Sequence, residues 1–420
     1  MNPLLIAGFG NSITVDHRRL VITNKLEKTK TEFYPHHIPH DSVILDGYTG
    51  YVTFEAMRWI SKHNISLTLL NWNGELLSVT TPDQPKSGKL RVKQYAKHLD
   101  SSIRLQMAKQ IIDCKIENSF RVLERLSAYY EFIDINLAKK IMHTERKIIQ
   151  ESVIEKIKYQ DQQDQISLLL RRLMNFEGKI ATAYLEEISK IFSHVCPEFH
   201  YSGRKNKSGN RNMNAASEIN ALFNYGYSIL EAETRRAINM TGLDPTIGFL
   251  HEVSQSKLPL VYDIQELFRW IIDVSVIQVL EEKKLRKKDF LVTENYNTRL
   301  RENTSKILVE KIKNNFNTKV PYKRNRNHSF QNILLDNTQM LSNFISGKAK
   351  KLGFLIPDMP FENSLDFKKI KQDLIQMTPE RRKELGINKS TLWYLKKNIE
   401  SGKKPRIYKK VLEKLDTSFA

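Results

Sequence analysis

Over the first eighty residues apolar and polar positions alternate in short runs, the period-two signature of strands with one buried face. Ser12 to Val15, Leu20 to Thr23, Ser42 to Leu45, Tyr51 to Phe54 and Ile65 to Asn71 fit that pattern, with turn residues between them. Asp46-Gly47 marks a turn, and Asn73-Gly74 lies between two apolar runs as in a hairpin. One helical stretch, Phe54 to His63, interrupts the strands. Pro82 to Lys89, PDQPKSGK, is a linker by composition, and its Ser-Gly-Lys lacks the upstream glycine of a phosphate-binding loop. From Arg91 the spacing changes. Ile103, Met107, Ala108, Ile111, Ile112 and Ile116 recur at helical intervals, and helical patterning continues to about Asn315.

Past Pro357-Asp358-Met359-Pro360 the composition shifts again. Thr378-Pro379-Glu380 carries the signals of a helix start, with Thr as N-cap and Pro in the first helical position. That helix meets Gly386, and a second begins near Asn388, Lys389, Ser390 and Thr391. This is the layout of a helix-turn-helix, in which those four residues open the recognition helix and reach base edges. Leu392 and Trp393 are expected to pack the two helices together. The predicted class is therefore α+β. It has an N-terminal β domain over residues 1–88, a large all-α domain over 89–357 and a C-terminal helix-turn-helix domain over 358–420.

Charge narrows the partners. The 420 residues carry 67 Lys and Arg against 47 Asp and Glu, a net charge of +20, and the isoelectric point is near 9.6. Such a surface suits a polyanion, nucleic acid before membrane, although a generally Lys-rich protein shows the same balance. The charge is uneven. Residues 380–414 hold twelve Lys or Arg and four Glu. The stretch YSGRKNKSGNRNMN contains Arg204, Lys205, Lys207 and Arg211 with no acid, and reads either as a surface loop or as a DNA-contacting one. TKVPYKRNRNHSF, with Lys323, Arg324 and Arg326, is a second basic segment with aromatic residues interleaved. Cys114 and Cys196 are too few for a disulfide scaffold or a Cys-based zinc site, which fits a reducing cytoplasm. No apolar run reaches about 18 residues and the N-terminus lacks a basic leader, so neither a membrane span nor a signal peptide is expected. Pro35 and Pro39 make the cluster His36, His37 and His40 a loop, where a metal role is not expected.

The densest chemistry lies in GFLHEVSQSKLPLVYDIQELFRWIID, Gly248 to Asp273. A helix starting near Tyr262 would put Asp263 and Glu266 three apart on one face, with His251 in the loop before it. One imidazole and two carboxylates form a mixed N/O donor set suited to Mg2+ or Mn2+. Asp near a helix start is also an ordinary cap, and an acid pair three apart an ordinary solvated face, so spacing alone does not choose. A second acidic point stands upstream, in NFEGKIATAY, where Glu177 and Gly178 lead into small residues at helical spacing.

Four ordered stretches carry a resemblance: NFEGKIATAY, NALFNYGYSILEAE from Asn220, GLDPTIGFLHE from Gly242 and PLVYDIQELFR from Pro259. Together they resemble the CRISPR-associated protein 1 family, over most of the chain to about Phe316. That family comprises the metal-dependent integrases that insert spacers into CRISPR arrays, and the casposases, their transposon-borne relatives. The resemblance implies Glu177, His251 and Glu266 as metal ligands, with Asp263 beside them to ligate a second ion or orient a water. Glu266 stands where many relatives have Asp, which keeps the ligand chemistry and lengthens its reach. Asn220 and Tyr227 match family positions that shape the core around the site, and the β domain matches a dimerisation module.

The resemblance also implies the reaction. A DNA 3′-hydroxyl attacks a phosphodiester of target DNA and displaces a new 3′-hydroxyl, helped by Mg2+ or Mn2+. Paired attacks on opposite strands need two sites, hence a homodimer or larger assembly on DNA. The basic tail favours a casposase, since spacer integrases commonly end near the helical domain and rely on a partner protein. Alternatives are a CRISPR spacer integrase, a metal-dependent endonuclease acting on branched DNA, and a non-enzymatic DNA-binding regulator; the last needs only the tail and leaves the central motifs unexplained.

Overall fold

The alternating runs at the start of the chain become β1 (Pro3–Gly8), β2 (Asn11–Asp16), β3 (Arg19–Asn24), β4 (Thr29–Phe33), β5 (Ser42–Gly47), β6 (Gly50–Val52), α1 (Phe54–Lys62), β7 (Ser66–Leu70) and β8 (Leu76–Thr80) in the computed structural model. One sheet has the order β1-β5-β7-β8, parallel except for the last pair; the other has the order β4-β3-β2-β6, antiparallel except for β2 and β6. Ile6, Ile13, Leu20 and Val43 from the strands meet Ala56, Trp59 and Ile60 of α1 in one core. Thr53 caps α1 by accepting the Ala56 N–H at 3.2 Å. Asn73-Gly74 does make the hairpin between β7 and β8, with Gly74 at φ +81° and the Asn71 N–H bonded to Glu75. Asp46-Gly47 ends β5, and the chain turns just after it into β6 of the other sheet.

The helical part comprises α2 (Gly88–Leu99), α3 (Ser101–Ser127), α4 (Gln162–Val195), α5 (Glu218–Thr241), α6 (Pro259–Gln265), α7 (Arg269–Glu281), α8 (Glu302–Asn317) and α9 (Phe330–Ser346). Two short hairpins punctuate it: β9 (Phe290–Val292) with β10 (Thr298–Leu300), and β11 (Lys319–Pro321) with β12 (Asn327–Ser329). α7 is buried along nearly its whole length, the position of a helix apolar on every face. It packs against α3, α4, α5 and α8. A Cβ on Gly226 of α5 would lie 2.6 Å from Ile272 of α7, so glycine sets how closely these two helices approach. α5 also packs on β8, and Tyr225 donates to Asp46 at 2.8 Å, joining the helices to the first sheet.

The structure describes residues 1–420 apart from 72, 81–86, 128, 131, 137–161, 200, 202, 204–216, 254–256, 294–296, 324–325, 358–372 and 401–420. It divides into two compact units, Met1–Met359 and Pro360–Ala420. In the second, α10 (Pro379–Glu384) begins after its Thr378 cap and is followed by Gly386 at φ +57° and by α11 (Lys389–Glu400). Leu374, Met377, Ile387, Leu392, Leu395 and Ile399 form its core. Trp393 does not pack between the helices as expected from sequence; it is 61% exposed while Leu392 is buried. Helical phase explains this: Leu392, Leu395 and Ile399 define the inner face, which turns Trp393, Tyr394 and Lys397 outward. Among the described residues no helix is long and apolar enough to cross a membrane.

Candidate active site

α5 ends in a left-handed C-cap at Gly242, and the chain then runs through a loop that carries His251. α6 starts at Pro259 rather than near Tyr262, the first helical position being one that needs no N–H. Asp263 therefore lies within a short helix, fully buried. Its Oδ2 accepts the N–H groups of Phe249 (2.5 Å) and Leu250 (3.1 Å). Its Oδ1 accepts the His251 N–H (3.0 Å) and His251 Nδ1 (2.8 Å). A carboxylate only accepts, so Nδ1 carries the proton and Nε2 is left as the basic nitrogen of the neutral ring. Burial pushes the His251 pKa down, but the Asp263 hydrogen bond and charge, with Glu266, outweigh it and raise the imidazole above its ordinary value.

The loop reaches Asp263 because residue 248 is glycine. A Cβ there would lie 2.7 Å from Pro259 Cβ and 2.8 Å from Asp263 Oδ2. From the other side α2 and α3 clamp the same backbone. The fully buried Gln94 donates to the carbonyls of Asp244 and Ile247 and accepts the Asp244 N–H. His98 Nδ1 donates to Gly248, and Arg104 donates to Phe249 while pairing with Glu252.

Across from the loop stand Glu177, midway along α4, and Glu266, which closes α6. Lys115 of α3 reaches both: its ammonium pairs with Glu177 Oε1 and lies 2.6 Å from Glu266 Oε2. Arg269 bonds the other oxygen, Glu266 Oε1, at 3.1 Å, and stacks on Tyr227 at 4.3 Å. Glu266 Oε2 is buried, and the lysine ammonium 2.6 Å away neutralises it. Burial pushes the Glu266 carboxyl up, but Arg269 and Lys115, with a smaller part from His251, pull it down to about 2, so it is ionised. Tyr184 and Tyr227 both donate to Asp273, completing a cleft lined by Lys115, Glu177, Glu266, Arg269 and these three.

The donor chemistry suits a hard divalent cation: two carboxylates that share one ammonium, one of them buried, and an imidazole within electrostatic reach of the buried one. Among the described residues no three His, Cys, Asp or Glu side chains are already drawn together as a metal cage; Lys115 stands between the two glutamates instead. Asp263 has both oxygens committed to the loop.

A sequence model of the family described as "CRISPR associated protein Cas1" matches residues 4–314, the greater part of the chain. The chain belongs to the Cas1 family. The "CRISPR-associated endonuclease Cas1 1" of Archaeoglobus fulgidus is 25% identical over 365 residues, 84% of this chain and 99% of that protein. A casposase solved bound to integration product is similar with a TM-score of 0.75 and 32% identity, covering 90% of this chain and 99% of that one. A Cas1 protein from Thermotoga maritima shares the fold, with a TM-score of 0.64 at 16% identity over 85% of this chain and all of that one.

Within this Cas1-family chain the other expected residues fall in different places. Asn220 lies at the start of α5, where its amide donates to Gly203 and Ser217. Lys323 is paired with Asp336 at 2.5 Å, while Arg326, Asn388, Lys389 and Ser390 are exposed and Thr391 is half-buried. Arg204, Lys205, Lys207, Arg211 and Arg324 lie outside the described residues. His40 bonds the Asn2 carbonyl, and His36 lies beside His63. Sequence reading missed Lys115, Arg269, Tyr184 and Asp273. Lys115 is one lysine among many on helices, and nothing in its spacing sets it apart.

Proposed function

We propose that this Cas1-family chain is a divalent-metal-dependent DNA integrase of the casposase branch, joining DNA 3′-hydroxyl ends to target DNA by transesterification. The carrying observation is the convergence of Glu177 and Glu266 on one cationic point, together with an imidazole that interacts electrostatically with Glu266 and whose Nδ1 is held by Asp263. Glu177, Glu266 and His251 Nε2 would hold the ion, Mg2+ or Mn2+. When bound, such an ion stabilises charge on the attacking and leaving oxygens at phosphorus. Asp263 keeps the imidazole in one tautomer and one orientation, the part an outer carboxylate plays behind a metal-bound histidine. Arg269, fixed between Glu266 and Tyr227, keeps a positive charge beside the carboxylates. The chemistry exchanges one phosphodiester for another: the incoming 3′-oxygen bonds to phosphorus, the target's 3′-oxygen leaves, and one proton passes from the first to the second through solvent.

The casposase branch is favoured by the 32% identity and by a match over 90% of the chain, which extends past residue 314 where the family model stops. The basic second unit, with α10, Gly386 and α11, supplies the elements of a helix-turn-helix. In this reading Asn388 to Thr391 contact base edges of the donor ends, and two or more copies act together on DNA. A second reading, CRISPR spacer integration, is supported by the names of the curated relatives. Neighbouring genes separate the two: terminal inverted repeats and a DNA polymerase gene, or a CRISPR array.

The test is incubation with a 3′-hydroxyl oligonucleotide, supercoiled plasmid and Mn2+. Joined oligonucleotide–plasmid product is expected. Cleaved DNA without joining would replace the integrase by a metal-dependent endonuclease. In competition between a terminal-repeat oligonucleotide and a scrambled one, removal of residues 358–420 should abolish any preference; a preference that survives would assign end reading to the body.

A further inference from the structure

We infer that Lys115 is a resident counter-ion of the acidic cleft, giving up its place when a divalent cation enters and then turning to a DNA phosphate. This rests on the metal-site reading and concerns what the chain does before and during loading. Glu177 and Glu266 converge on the Lys115 ammonium, and Glu266 is buried. Two carboxylates this close repel strongly where water is scarce, and one neutralising charge is what holds them together. Lysine suits a replaceable role, as a compact charge on a flexible stem. Arg269 does not, because Glu266 Oε1 and the face of Tyr227 both hold it.

The charge balance of the cleft ties metal to DNA. Lys115 and Arg269 face Glu177, Glu266 and Asp273 there, a net of −1. A divalent cation converts that to +1 and releases an ammonium at the same place, which a phosphodiester then satisfies. Metal and DNA must therefore bind with positive coupling, and by linkage each raises the other's affinity equally. Lys115 is the group through which they are coupled.

The experiment measures Mn2+ affinity by calorimetry or electron paramagnetic resonance on the full chain, with and without a duplex bearing a free 3′-hydroxyl. In the wild type, DNA should tighten Mn2+ binding by about tenfold or more. Lys115→Met should bind Mn2+ more tightly than wild type without DNA, and DNA should then add little. Its melting temperature should fall without metal and recover with Mn2+. Equal Mn2+ affinity of wild type and Lys115→Met, or undiminished coupling to DNA in the variant, would overturn the role given to Lys115. So would a loss of melting temperature that Mn2+ does not restore, since a purely structural lysine behaves that way. The metal-site reading fails separately: neither wild type nor Lys115→Met would bind Mn2+ with DNA present, or Glu266→Gln would leave binding unchanged in both backgrounds.

Discussion

The loop that carries His251 and the cleft that holds the two glutamates are built on opposite principles. On the loop side, one buried carboxylate accepts four hydrogen bonds from three consecutive residues, and three side chains of α2 and α3 hold the same backbone from behind. Nothing there is left to exchange. On the glutamate side, ion pairs do the holding, and the buried Glu266 oxygen is compensated by a lysine that a second glutamate shares. Directional bonds fix an imidazole to within a narrow range of positions, whereas charge pairs hold a geometry that another cation can take over. The loop side thus supplies precision and the glutamate side supplies replaceability.

Breaking each side should give effects of different size. The largest is expected for His251→Ala, which removes the basic nitrogen while leaving Asp263 and the fold in place: joining should be lost, with duplex binding in a gel-shift titration nearly unchanged. Strand joining at the wild-type rate would take the imidazole out of the site. Asp263→Asn comes next. Its amide would point N–H groups at backbone N–H donors, so the loop loosens while the glutamate side stays intact. Joining should fall about 10–100-fold, with a comparable weakening of Mn2+ binding. A change below about twofold would mean that the clamp from α2 and α3 suffices by itself.

The smallest effect is on stability and uses pH to separate buried carboxylates. Burial pushes Asp46 up to about 6, despite the hydrogen bonds from Tyr225 and Ser305 and the charge of Arg299. Between its ordinary 3.8 and about 6 the folded chain keeps a proton that the unfolded chain releases, so stability falls as pH rises through that window and then levels off. Glu266 has the opposite sign: its contribution is complete above the ordinary 4.5 and is lost as pH falls toward about 2. Urea midpoints measured from about pH 4 to 6 should decline more steeply in wild type than in Asp46→Asn. Parallel curves would show that Asp46 titrates normally.

Much of this was legible in the chain. Strands with alternating apolar residues, such as those around Ser12 and Leu20, were readable because one face is buried. The strand Thr29–Phe33 was not, since its mostly polar, exposed residues carry no alternation and it forms only by pairing with β3. The apolar rhythm of α3 was legible, yet the same helix hid Lys115, because periodicity marks the buried face and says nothing of which partly exposed charge meets a partner from another helix. Gln94 was hidden for a related reason: a polar residue on a helix becomes a buried anchor only when a loop 150 positions away arrives to use it. The pairing of Lys323 with Asp336, in the helix that follows, was equally hidden, because nothing in the basic stretch around Lys323 points to that acid. Apolarity alone points Trp393 inward, but the phase of its own helix turns it out.

The wide spacing of the cleft has a consequence for how the chain folds. Asn118 bonds Leu267 across 149 positions, and Gln94 bonds Asp244 across 150. Contacts this remote are costly to close and form late. During synthesis, α3 and Glu177 leave the ribosome well before the residues that complete the cleft. A chain stopped short of Glu266 would have Lys115 and Glu177 but neither the second carboxylate nor the arginine beside it. Topology thereby delays the cleft until α7, at the centre of the helical core, has been made.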